Sequence, residues 1–165
     1  VRVLEKRFPD SFTSDDERFM VEAIREAWKA FQIGDVPVGA VVVHCGTVIG
    51  RGHNQVELLQ DATAHAEMLA IGAASQALGG WRLEDCTLYS TLEPCSMCAG
   101  AILCSRVPRL VWGAPDIRHG ANGSFVDLFR LPHPTHVVSV TQHVLKEWCA
   151  QPLQKFFQAR RAENF

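Results

Sequence analysis

No stretch of the chain is apolar for long enough to cross a bilayer: the longest runs, residues 36–43 and 99–104, fall far short of the ~20 residues a membrane helix needs. An N-terminal apolar segment is missing as well. Residues 1–16 mix Arg2, Lys6 and Arg7 with Asp10, Asp15 and Asp16, which is not the pattern of a secretory leader. Charge of one sign is also lacking, since 16 Lys and Arg stand against 18 Asp and Glu. A polyanion partner gathered by overall basicity is therefore excluded, and any contact with nucleic acid must be local. The places where positive charge could gather are residues 155–161 and the dispersed Arg106, Arg109, Arg118 and Arg130, which taken singly read as solvated surface charge.

Repeats, low-complexity tracts and Pro/Ser-rich linkers are absent too. The 165 residues are expected to form one domain, 1–165, with residues 1–14 as an N-terminal extension. A chain of this size can bury roughly 70% of its extended surface without disulfides. Six cysteines without a leader are expected to stay reduced, some of them holding metal, which makes the cytoplasm the expected compartment.

The elements can be read from periodicity. Phe19, Met20, Ile24, Trp28 and Phe31 recur at steps of three and four, predicting an amphipathic helix over 14–31, capped by Ser14 or Asp15 and stopped by Gly34. Residues 36–43 and 48–52 read as a hairpin turning at Cys45, Gly46 and Thr47. Residues 63–78 are rich in helix formers and end at Gly79-Gly80. A short strand over 86–91 follows, then a helix over 95–104 opened by Pro94, a strand at 110–112, and a loop over 113–124 long enough to be functional. A strand at 137–140 and a helix over 146–162 complete the chain. This order predicts a sheet with helices on both faces and parallel pairing of the later strands.

Two short segments carry chemistry: His65-Ala66-Glu67 and Pro94-Cys95-Ser96-Met97-Cys98, each at the start of a helix. Thiols three residues apart on one turn can reach a single ion, and a helix N-terminus favours their ionised form. With His65 the set is two sulfurs and one nitrogen, which suits Zn2+ and leaves one position open for water. Other readings exist for each part. Cys86, Cys104 or His53 could close a structural zinc site, and C-x-x-C alone could be a redox pair. Glu67 has no use in a closed site, but is the general base an open one needs. Two thiolates leave the metal a weaker Lewis acid than three imidazoles would.

His65, Glu67, Pro94, Cys95 and Cys98 together match H-x-E…P-C-x-x-C, the signature of the zinc-dependent nucleobase deaminases. The longer segments 61–67 and 91–101 resemble the bacterial tRNA-specific adenosine deaminases of the cytidine/deoxycytidylate deaminase superfamily. So, in order, do 36–40, 52–54, Ser105-Arg106, 113–116, Gly123-Ser124, Phe156-Phe157 and Arg160-Arg161. Ala62 stands where that family usually has proline, Pro115 where it often has arginine, and Arg118-His119 where it often has Lys-Thr. These departures bear on loop contacts with RNA.

The resemblance implies an α/β fold, a three-layer α/β/α cytidine-deaminase-like arrangement with a mixed five-stranded sheet. It also implies a zinc-dependent hydrolase, a homodimer with one Zn2+ per subunit and no organic cofactor. The expected reaction converts adenosine to inosine at the wobble position of a tRNA anticodon stem-loop. Carried over by residue, Glu67 is catalytic, and His65, Cys95 and Cys98 hold the metal. Asn54 hydrogen-bonds the nucleoside, Ala66 offers its backbone N–H to the base, and Asp116 lies beside the ribose. Val38 and Leu92 line the base pocket, while Phe157 and Arg161 help hold the anticodon loop. Taken alone, Asn54 could instead close a turn and Asp116 could cap a loop. The competing functions are a deaminase of free guanine or cytosine and a zinc-stabilised RNA-binding subunit without catalysis.

Overall fold

The computed structural model describes residues 5–164, so part of the expected N-terminal extension, residues 1–4, lies outside the described residues. Helix α1, Asp15–Gln32, opens on Ser14, whose hydroxyl accepts from the Glu17 N–H at 3.2 Å while the Glu17 carboxylate accepts from the Thr13 N–H at 2.6 Å. Three acidic residues in its first turn sit favourably at the positive end of the helix dipole.

Strands β1, Gly39–His44, and β2, Thr47–His53, form an antiparallel hairpin. Its two turn residues, Cys45 and Gly46, both have positive φ, the turn whose twist matches that of the strands. A single helical turn, α2, Val56–Leu59, leads to α3, Ala66–Leu78. Then come β3, Cys86–Leu92, α4, Ser96–Cys104, β4, Arg109–Ala114, β5, Ser139–Thr141, and α5, Lys146–Glu163.

The five strands lie in the order β2-β1-β3-β4-β5, with the hairpin and β1–β3 antiparallel and β3–β4–β5 parallel. This is the mixed sheet the sequence implied. The parallel half follows from the crossover through α4 between β3 and β4 and from the long segment 115–138 between β4 and β5, since parallel neighbours need a long connection.

Alternation along the strands sorts the core into two layers. Val42, Leu88, Leu110 and Trp112 face α3 and α4, meeting Ala66, Ala70, Ala74 and Ile102. Val41, Val43, Tyr89 and Val111 face the other way, against Met20, Ile24 and Trp28 of α1 and Cys149 of α5. Helix α3 lies unusually close to the sheet. A Cβ on Gly52 would fall 2.2 Å from the Ala66 carbonyl oxygen, so only glycine lets the start of α3 rest on β2.

Several boundaries differ from the sequence reading. The first strand begins at Gly39, not at residue 36, because the Val36 carbonyl is taken by the Val38 N–H and the Asn54 amide. Helix α3 starts at Ala66 and α4 at Ser96, with His65 and Cys95 extended as the preceding cap residues. Pro94 therefore stands before the cap and does not open the helix. The last strand is three residues, 139–141, an edge strand paired only with β4. Helix α2 was not legible, whereas α5 runs on through Pro152 as the expected helix over 146–162 does, although proline removes an intrahelical donor. Among the described residues no helix is long and apolar enough to cross a membrane.

Candidate active site

Helices α3 and α4 aim their N-termini at one point beside the carboxyl end of β3. His65 precedes α3, and Cys95 precedes α4 with Cys98 in its first turn. Partial positive charge from both helix ends converges there. His65 Nδ1 lies 3.5 Å from the Sγ of Cys95 and 3.5 Å from that of Cys98. Zn–S and Zn–N bonds of ordinary length meeting at a tetrahedral angle would hold such atoms about 3.6 Å apart, so the triad fits zinc in size as well as in donor chemistry.

Among the described residues, these three form the group of potential ligands whose donor atoms all lie within 4.8 Å of one another. The other candidates are elsewhere. His53 faces Glu26, Cys104 is exposed at the end of α4, and Cys86 is buried at the start of β3. All six cysteines are free thiols, so Cys95 and Cys98 form no redox bridge. Three protein ligands leave one coordination position for water or substrate.

Without metal the two thiols share one proton. Hydrogen bonding from Cys98, aided by His65, holds Cys95 down to about 3. The Cys95 thiolate and burial push Cys98 up, leaving it protonated. The hydrogen bond to Cys95 raises His65 in turn. A bound divalent cation overrides this sharing, because a coordinating thiol is deprotonated outright.

Glu67 is buried, and burial raises its pKa, offset in part by its own backbone N–H and by His65. Its Oε2 lies 3.3 Å from Cys98 Sγ, and its Oε1 accepts from the Ser90 hydroxyl at 3.0 Å. That hydroxyl also lies 2.8 Å from the Leu92 carbonyl, so its one proton has two acceptors. The carboxyl group is thus anchored at one oxygen and turned toward the metal triad at the other.

A cleft of about 480 Å³ opens over this point, a volume typical of small-molecule sites. His65, Glu67 and Cys95 are on its wall, together with the predicted Val38, Asn54, Ala66, Leu92 and Asp116. Asn54 donates its amide to the Val36 carbonyl at 3.1 Å, and its buried Oδ1 has no partner among the described residues. Asp116 caps its own loop, accepting from the N–H groups of Arg118 and His119 at 3.2 Å each, while still bordering the cleft.

Phe157 and Arg161 line a second groove, which shares Val36, Leu92, Asp116 and His119 with the first. Pro115 and Arg118, two departures from the family pattern, line this groove as well, and His119 borders both. Ala62 is exposed between α2 and α3.

Sequence reasoning missed three buried polar groups here: Ser90, Glu93 and Asp35. Asp35 receives the Glu57 and Leu58 N–H groups at 2.9 and 3.1 Å and so anchors α2 at the cleft rim. Only Glu93 had a local signal, an acidic residue immediately before the Pro-Cys motif.

Residues 13–114 match the family model described as the cytidine and deoxycytidylate deaminase zinc-binding region. The chain belongs to this family. It is 49% identical over 151 residues to the tRNA-specific adenosine deaminase of Bacillus subtilis, spanning 92% of this chain and 94% of that one. It is 52% identical over 161 residues to the chloroplastic tRNA(adenine(34)) deaminase of Arabidopsis thaliana, covering 88% of this chain but only 12% of that much longer protein. A solved structure from work on A-to-I editing by tRNA:A34 deaminases at the wobble position superposes with a TM-score of 0.79. It is 43% identical and covers 82% of this chain and 99% of its own. The His65, Cys95 and Cys98 cluster, which could hold a metal ion, lies within the matched zinc-binding region.

Proposed function

We propose that this chain hydrolyses the amino group of adenosine at the wobble position of a tRNA anticodon, producing inosine and ammonia. The observation that carries the reading is the meeting of the zinc triad and the Glu67 carboxyl group at the wall of one cleft, which continues into a groove bearing Arg118, Arg160 and Arg161. The relatives named as tRNA adenosine deaminases, at 49% and 52% identity, support the substrate.

Zinc held by His65, Cys95 and Cys98 supplies Lewis acidity that makes a water more acidic. Glu67 takes a proton from that water as its oxygen bonds C6 of adenine, and delivers the proton to N1. Glu67 then carries the remaining hydroxyl proton to the amino group, which leaves as ammonia while C6 keeps the oxygen. One carboxyl group serves both transfers, and the upward shift that burial gives its pKa suits a group that must both accept and donate.

The substrate contacts are those the family resemblance implies, and the lining of the cleft and groove supports them. The Ala66 N–H opens α3 and has no intrahelical acceptor, so it is available to the base. The unpartnered Asn54 Oδ1 offers an acceptor to a nucleoside donor. Val38 and Leu92 flank the base, Asp116 borders the ribose, and Phe157 and Arg161 hold the flanking loop. A base in an anticodon loop is unpaired, which lowers the few kcal/mol that extrusion from a duplex would cost. The reading includes a cytoplasmic homodimer, supported by the partly exposed Met97, Gly100 and Ala101 of α4 as a surface for a second copy.

Ammonia release tests the assignment. An anticodon stem-loop bearing wobble adenosine is expected to react, while free guanine, cytosine and adenosine react at least about a hundredfold more slowly in kcat/KM. Faster turnover of free guanine or cytosine than of the stem-loop would overturn it.

A further inference from the structure

Glu93 lies between β3 and the metal-ligand turn, two residues before Cys95, and is 1% exposed. The proposed mechanism makes no use of it. Its carboxylate nevertheless accepts four hydrogen bonds, all from the loop after β4. Oε1 receives the Asp116 N–H at 3.3 Å and the Ser124 hydroxyl at 2.5 Å. Oε2 receives the N–H groups of Asn122 at 2.9 Å and Ser124 at 3.2 Å.

The loop closes around this group. A Cβ on Gly120 would fall 2.2 Å from Glu93 Oε2, so the backbone at 120 touches the carboxylate directly. The Ala121 N–H donates to the Pro94 carbonyl at 2.7 Å, and Cys95 forms a β-bridge with Gly120. A buried carboxylate is strongly unfavourable unless its lone pairs are filled, and one loop supplies the donors here.

We propose that Glu93 is a positioning residue that ties the Cys95 turn to the 115–124 loop. The tie fixes Asp116 and His119, which border the cleft, at a set distance from the metal ligands. The wall that receives the nucleoside and the centre that reacts with it then move as one body. The inference rests on the reading of this cleft as the substrate site.

The test uses Glu93→Gln and Ser124→Ala in the zinc-loaded full chain. Glutamine keeps the shape but replaces one oxygen by NH2, so whichever way the amide turns, two of the four donors face another donor. Ser124 is exposed, and its alanine variant removes a single bond without disturbing the core.

Hydrogen exchange at the amides of Asp116, Asn122 and Ser124 is expected to accelerate at least tenfold in Glu93→Gln, with α3 and the sheet unchanged and zinc still bound. KM for the stem-loop should rise on the order of ten- to hundredfold, the size expected for lost bonds to a charged acceptor, with kcat changed less than about threefold. Ser124→Ala should move both quantities in the same direction by less, and the double variant should be no worse than Glu93→Gln alone.

Unchanged loop exchange in both variants would overturn the proposal, as would a loosened loop with unchanged KM. If Glu93→Gln fails to fold, Ser124→Ala decides between these outcomes. A wild-type chain inactive on the stem-loop would remove the substrate reading, while the exchange measurement would still decide whether the tie exists.

Discussion

At the scale of single residues, the site depends on how few donors hold the metal. Cys98 is buried, 3.5 Å from His65 Nδ1, and without metal it is the protonated partner of the pair. Replacing it with alanine leaves one sulfur and one nitrogen, too few to fix the geometry of a zinc ion. Cys98→Ala is therefore expected to reduce bound zinc from about one per chain to less than about a tenth, measured by metal emission after gel filtration. Full retention of zinc would mean that another group coordinates it. The four residues on which the proposed chemistry rests were singled out by H-x-E and P-C-x-x-C taken together with the family resemblance, since each motif keeps its side chains within about one helical turn. Ser90 was not legible, and Glu93 was marked only by its place before the Pro-Cys motif. Their partners lie 23 to 31 residues away in sequence, on α3 and on the loop after β4, and nothing local marks those pairings.

At the scale of elements, a polar junction at Asp16 helps pin α1 to the sheet, besides the contacts of Arg51 and His53 of β2 with Glu22 and Glu26. Arg109 of β4 donates to both oxygens of Asp16, at 2.7 and 2.6 Å, and the Tyr89 hydroxyl of β3 donates to the same carboxylate at 2.8 Å. The hydrogen bond from Arg109 holds the Asp16 carboxyl below its usual range. A carboxyl group whose folded value is depressed stabilises fully above its unfolded value, about 3.9, and loses that stabilisation as pH falls through the lower folded value. Asp16→Asn should accordingly cost about 1.5–3 kcal/mol at pH 7, the range for hydrogen bonds to a charged group. In urea denaturation the gap between variant and wild type should narrow as pH drops below about 4. A gap that stays constant or widens toward acid would contradict this account of the junction.

The helices and the hairpin were legible because their apolar positions repeat at 3.6 or 2 residues and their ends carry capping or turn residues. What was lost is what lacks such periodicity. The bounds of β5, three residues at a sheet edge, were misplaced, and α2, a single turn fixed by Asp35, was not read at all. Each is held by tertiary contacts that override local preference.

At the scale of the whole molecule, a chain of net charge −2 has no field to draw in RNA. Arg118, Arg160 and Arg161 instead gather at one groove, which adjoins the cleft over the zinc site. The two helix layers and the glycine-tight seat of α3 on β2 hold both halves of the metal site on one sheet. The arrangement is useful only if the carboxyl group beside the triad moves protons, and replacing that group tests the claim most directly. Zinc-loaded wild type and Glu67→Ala are compared in single-turnover inosine formation on an anticodon stem-loop, with metal content measured in the same samples. Loss of a general acid–base should slow Glu67→Ala by at least about a hundredfold while zinc stays near one per chain. A rate within a few-fold of wild type, with zinc bound, would contradict the account.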